Sequence, residues 1–228
     1  MHEGHRDRVK KRFRQEGLDH FSDIQALELL LFYGIPRVDT NPIAHALLDR
    51  FGSLSQVLEA SPEELMKVPG VGENAALLLT LIPQMGRFYM VDRSSRVTIL
   101  QTLEQCADFL VPHFFGRKVE TVFILCLDAK CKLLCCKELG EGGPNSTGVS
   151  IRKIVETAIG VNAAAVVLAH NHPSGLAVPS AEDIQTTRRI AHALQAVEIT
   201  LADHIIVADG DYVSIAMSDD RFRDCLLI

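Results

Sequence analysis

The chain has 228 residues, 47% of them apolar and 23% charged, and a net charge of −6. That length allows one or two domains, each able to bury its own core, and the negative balance argues against a surface coated with nucleic acid. The longest apolar runs, Ala163 to Ala169 and Ala75 to Leu79, fall short of the roughly 18 residues a membrane helix needs, and Met1-His2-Glu3-Gly4-His5-Arg6 has no apolar signal-peptide core, so a cytoplasmic chain with no membrane attachment is expected.

Residues 1–92 read as helices throughout. The first fourteen carry six basic side chains (Arg6, Arg8, Lys10, Lys11, Arg12, Arg14) against Glu3 and Asp7, a local net charge of +4. Such a start suits either a solvated helix face or contact with phosphate or an acidic partner. Asp23 to Tyr33 spaces Ile24, Leu27, Leu30 and Leu31 as a helix does, Pro42 to Asp49 repeats the pattern, and Gln56 to Glu59 adds a short turn. At Ser61-Pro62-Glu63-Glu64 the start signals are dense: a capping serine, proline at the first position, and Glu64 placed to complete a capping box.

The stretch Leu65 to Ala75, with Val68-Pro69-Gly70-Val71-Gly72 at its centre, resembles a helix-hairpin-helix, and Asn41 to Ala60 looks like a degenerate first copy. Glycines there let a backbone approach phosphate closely, and amides at a helix start point outward. DNA-binding hairpins usually carry Lys or Arg after the turn, whereas Glu73, Asn74 and Ala75 follow here. The turn therefore either packs two helices or binds DNA, and only weak, salt-sensitive DNA contact is expected.

Around Arg93-Ser94-Ser95-Arg96 the composition turns polar, as in a linker, and residues 101–228 have an α/β texture. Thr102 to Leu110 reads as a helix, with Thr102 and Gln105 forming a capping box. Glu120 to Leu127 and Cys131 to Glu138 read as a hairpin around Asp128-Ala129-Lys130. Ser150 to Gly160 is a helix and Ala163 to Ala169 a buried strand. Ala181 to Val197 is a helix, and Asp203 to Val207 and Tyr212 to Ile215 are strands about Asp209-Gly210. The six cysteines include no C-x-x-C pair, so they read as reduced core residues rather than a zinc-thiolate site.

The chemistry concentrates at Ala169-His170-Asn171-His172-Pro173-Ser174-Gly175 and Ser180-Ala181-Glu182-Asp183. The apolar strand delivers His170 to its C-terminal end, and residues two apart on an extended chain point the same way. His170 and His172 can therefore share one ion. Pro173 and Gly175 turn the chain, and Asp183 returns in the first turn of the next helix as an oxygen ligand. Two imidazoles and a carboxylate leave a fourth tetrahedral position open, as catalytic zinc requires. Ser180-x-x-Asp183 is also a good helix start without any metal. One zinc per chain, held by His170, His172 and Asp183, is the expectation.

That string resembles the JAMM motif of the MPN-type metalloproteases position for position. The resemblance extends to the bacterial RadC family at Gly4-His5-Arg6, Leu29 to Tyr33, Ile35 to Pro42, Val68 to Gly72, His170 to Gly175 and Asp203 to Val207. It implies an all-α helix-hairpin-helix domain followed by an MPN/JAB-like α/β zinc domain, a mixed sheet with flanking helices. It also implies a hydrolase that cleaves peptide or isopeptide bonds with activated water. The family pattern calls for a glutamate on an earlier strand as general acid/base. Its spacing to Gly142, Asn145, Val149 and Arg152 assigns that role to Glu138, with Glu141 as competitor. Ser180 is expected to donate to the developing oxyanion, and Asp203-His204 either forms outer support for the ligands or a strand-end turn. Leu139 to Pro144 and Ile151 depart from the family's commoner residues, which bears on the substrate groove.

Other zinc and nuclease patterns do not fit. His170-Asn171-His172 is contiguous, unlike the dispersed residues of HNH nucleases, and neither H-E-x-x-H nor a deaminase H-x-E with P-C-x-x-C occurs. The rival from another class is a DNA-associated accessory protein, matching the family's traditional label as a repair protein, in which zinc only holds the loop. The open ligand position and nearby base favour an enzyme acting on a peptide or protein substrate.

Overall fold

The computed structural model describes residues 3–95, 98–142, 144 and 149–218. Arg96, Gly143 and Asn145 lie outside them. The chain divides into compact units at Met1–Gly86 and Arg87–Ile228. In the first unit, helices α1 (Glu3–Glu16), α2 (Asp23–Gly34), α3 (Asn41–Phe51), α4 (Leu54–Glu59) and α5 (Pro62–Leu65) precede α6, which starts at Glu73 and runs to Ser94. The expected polar linker is therefore helical at Arg93 and Ser94.

Serines start three of these helices. Ser22 forms a reciprocal box with Gln25, and Ser53 and Ser61 accept the amides of Gln56 and Glu64. Glu64 does not return the bond as the sequence suggested; its carboxylate pairs with Arg50 at 3.0 Å and with Lys67. Leu27, Leu31, Leu47, Leu65 and Leu79 fill the core. Part of the basic start is spent internally. Arg6 donates to the carbonyls of Phe32, Ile35 and Val38 at the end of α2, and Arg12 reaches Glu16, Gln25 and the His20 carbonyl.

The turn between α5 and α6 depends on Gly70, whose φ is +90° and where an added Cβ would stand 2.8 Å from Cδ1 of Ile43. Gly70→Ala adds both left-handed strain and this clash. It should destabilise the helical unit by about 1–3 kcal/mol, read as an earlier transition in thermal unfolding of the full chain; an unchanged transition would show that the turn relaxes freely.

The second unit contains α7 (Leu103–Leu110), β1 (Thr121–Leu127), β2 (Leu133–Glu141), α8 (Ile151–Gly160), β3 (Ala165–Asn171), α9 (Ala181–Gln195), β4 (Thr200–Ala208), β5 (Asp211–Ser214) and α10 (Ile215–Ser218). Its five strands are ordered β2-β1-β3-β4-β5. Among the described residues β3 and β4 run parallel and the other neighbours antiparallel, so the sheet is mixed. Alternation along the strands sends Val122, Ile124, Val166 and Leu168 towards α8 and α9, against Ile154, Ala158, Ile190 and Leu194. Phe123, Leu125, Val167 and Ala169 face α7, against Ala107, Phe109 and Leu110. Helices thus cover both faces. This explains why β3 is buried at every position and reads as an unbroken apolar run. Among the described residues, no helix is long and apolar enough to cross a membrane.

Candidate metal centre

His170 pairs with Val122 of β1 and Ile206 of β4, on the sheet face that meets α9, and it is fully buried. The chain stays extended for two more residues, since the His172 amide donates to the Val207 carbonyl at 2.8 Å, and then turns as Gly175 donates back to His172. His170 and His172 consequently point the same way, with their Nε2 atoms 2.9 Å apart. Nδ1 of His172 is 3.1 Å from the Leu176 carbonyl, which fixes the ring from the loop side.

Asp183 enters from the first turn of α9. Ser180 donates both its hydroxyl and its amide to Oδ2 of Asp183, at 2.6 and 2.8 Å, and accepts the Asp183 amide at 3.1 Å. The helix cap and the ligand reading therefore coexist. The cap occupies Oδ2, while Oδ1 faces Nε2 of His170 at 3.3 Å; Nε2 of His172 is 3.5 Å from Oδ2. Burial works against this carboxylate, but the facing His170 imidazole and the hydrogen bonds from Ser180 outweigh it and hold Asp183 well below the usual carboxylate range.

The fourth group is Glu120, which precedes β1 and lies on the same face as Val122. Its Oε1 is 3.7 Å from Nε2 of His170, and ligand atoms of Glu120, His170 and His172 lie within 4.8 Å of one another. Asn171, between the two histidines, points the other way. It accepts the Thr121 amide at 2.8 Å and donates to the Val119 carbonyl at 3.1 Å, bracketing Glu120 on both sides. Tetrahedral zinc with bonds of about 2.0–2.1 Å separates its donors by about 3.3 Å. The spacings from Nε2 of His170 to Nε2 of His172, 2.9 Å, and to Oδ1 of Asp183, 3.3 Å, fit such an ion, whereas the 3.5 Å contact of His172 is to the capped Oδ2.

Glu138 does not join this group. It pairs with Phe123, and directly opposed residues share a face, so it lies on the α7 side of the sheet. There it accepts Arg117 at 2.6 Å, and the Arg117 guanidinium stacks over the Phe123 ring. Glu120 takes the place by the histidines that the sequence assigned to Glu138. Glu141, the competitor, is the last residue of β2, opposite Thr121. Ser180 reaches the site, but its one hydroxyl proton is given to Asp183, so as placed it orients that carboxylate rather than serving as an oxyanion donor. The cysteines stay outside this chemistry: among the described residues all are free, and burial pushes the Cys106 and Cys136 thiols up to about 12.

Behind the histidines lies a second layer. Nδ1 of His170 is 2.8 Å from Nε2 of His204, Nδ1 of His204 is 2.6 Å from Oγ1 of Thr187, and that hydroxyl is 2.7 Å from the Asp183 carbonyl oxygen. Complete burial, together with the neighbouring His170 and His172, pushes the His204 pKa well below its usual value, against the pull of Asp183. Asp203 stands apart. Its Oδ1 accepts the amides of His204 and Ala216, its Oδ2 is a buried oxygen without a hydrogen-bond partner, and burial raises its pKa. Of the pair Asp203-His204, only His204 touches one of the two clustered histidines.

Comparison with known proteins agrees with this architecture. Residues 100–220 match the model of the RadC-like JAB domain, and residues 3–77 match the UPF0758 N-terminal model. A UPF0758 protein of Fusobacterium nucleatum subsp. nucleatum is 33% identical over 219 residues, covering 93% of this chain and 94% of that protein.

Proposed function

The chain belongs to the RadC-like JAB domain family, and from that premise we propose that it is a zinc-dependent hydrolase of peptide or isopeptide bonds. JAB-like domains belong to a family that includes hydrolases. The observation that carries the reading is the cluster of Glu120, His170 and His172, with the Asp183 carboxylate 3.3 Å from His170. His170 and His172 supply nitrogen ligands through Nε2, and Asp183 supplies Oδ1. When bound, zinc would lower the pKa of a water in the site to about 7 and polarise a carbonyl oxygen. Glu120 accepts the proton of the attacking water and returns it to the leaving nitrogen. Its partial exposure gives a substrate access, while Asn171 keeps the carboxylate aimed at the histidines. Ser180 holds Asp183 in its ligand orientation.

The test is hydrolysis of a library of peptides and isopeptide-linked lysine substrates by zinc-loaded full-length protein, with a chelated sample beside it. Turnover lost on chelation and restored by zinc is expected. Bound zinc with no cleavage of any substrate would favour a structural site.

For the helical unit the proposal is weak, sequence-independent DNA contact through the outward basic residues of α1, since Arg6 and Arg12 are committed within the unit. Its affinity for duplex should fall steeply with salt, and Arg8→Glu with Lys11→Glu should remove most of it in fluorescence anisotropy. Tight, salt-insensitive binding would instead point to the turn at Gly70 to Gly72.

A further inference from the structure

We infer that Thr187 and His204 are positioning residues that decide which nitrogen of His170 is left bare for a metal ion. The inference rests on the metal reading above and concerns how that site is prepared.

The polarity of the network follows from its far end. The Asp183 carbonyl can only accept, so the Thr187 hydroxyl gives it its single proton. The hydroxyl oxygen must then accept from Nδ1 of His204 across 2.6 Å. A neutral imidazole has one N–H, so Nε2 of His204 is bare and accepts from Nδ1 of His170 across 2.8 Å. That places the His170 proton on Nδ1 and leaves its Nε2 as an unprotonated donor facing His172 and Asp183. Along this path each proton has one place, and a proton on Nδ1 of His170 is what coordination through Nε2 needs.

The carbonyl that starts the chain belongs to Asp183. The carboxylate ligand and the imidazole ligand are therefore joined twice, once face to face in the site and once behind it through Thr187 and His204. His172 is set separately by the Leu176 carbonyl, which takes the Nδ1 proton and leaves Nε2 bare in the same sense.

Tautomers are read directly by long-range proton–nitrogen correlation spectra of the ¹⁵N-labelled, metal-free chain, with His204 assigned from a His204→Gln sample. The Nδ1-protonated form of His204 is expected, and the Nε2-protonated form overturns the proposal whatever the metal does. Thr187→Val keeps the shape and removes the hydroxyl. It should release the tautomer preference of His204 and lower zinc affinity roughly 10–100-fold in chelator competition, with Thr187→Ser restoring both. Zinc affinity unchanged in Thr187→Val overturns the proposal alone. Wild-type protein that takes up no zinc rejects the metal reading itself, and the two failures are told apart by the wild-type sample. Should Thr187→Val not fold, the wild-type spectrum still decides.

Discussion

Untagged wild-type protein should contain about one zinc per chain, and His172→Ala should contain almost none. His172 provides a nitrogen 2.9 Å from that of His170 and 3.5 Å from Asp183, so its removal opens one side of the donor set. Loss of an outer partner costs roughly 10–100-fold in metal affinity, and loss of a direct ligand should exceed that. His170→Ala should be as severe and should also leave His204 facing a cavity. His113→Ala is the matched control: that histidine packs near Cys136 and Phe123 on the α7 side of the sheet and should not alter zinc content. Elemental analysis decides the matter, and equal zinc in wild type and His172→Ala would remove the site.

The second large effect separates two glutamates. Glu120→Gln keeps the shape of the side chain and loses its ability to take a proton, so turnover should fall about 10²–10⁴-fold while zinc is retained. Glu138→Gln should retain both zinc and turnover. It gives up only the ion pair with Arg117, a partly exposed contact worth about 1 kcal/mol or less. The comparison tests sheet geometry as much as chemistry, because Glu120 lies on the His170 face of the sheet and Glu138 on the opposite one. An inactive Glu138→Gln with an active Glu120→Gln would mean that the face assignment is wrong.

That pair also shows where the sequence stops being informative. Helix starts at Ser61 and Thr102 are local signals, and so is the run from His170 to Asp183, which a strand, a turn and a helix cap bring together without help from the rest of the chain. Glu120 is visible as the head of a β-rich run, yet nothing local connects it to His170. The connection is the antiparallel register that sets Val122 opposite His170. Choosing between Glu120 and Glu138 requires knowing which face each occupies, and β2 is irregular at that point, with a register shift between Val122 and Phe123. A one-residue irregularity inverts the side on which a strand residue emerges, so spacing along the chain could not decide. Thr187 gives no signal at all, since a threonine inside a helix is ordinary until its neighbour across the sheet is known. Glu64 fails its expected box for a related reason: Arg50, on another helix, competes for the same carboxylate.

Asn171 has a consequence for how such a protein can change over time. Its amide fastens Val119 and Thr121 to the strand that also presents both histidines, so the proposed base and the nitrogen donors are held in one rigid body. The chain between His172 and Ser180 belongs to no helix or strand and exposes Leu176 and Val178 to solvent next to that body. The side chains of Leu176 and Val178 can be exchanged without shifting Glu120 relative to His170, since the loop holds His172 through a backbone carbonyl. Preference for one substrate over another is thereby free to diverge among descendants, while the reactive geometry is inherited intact.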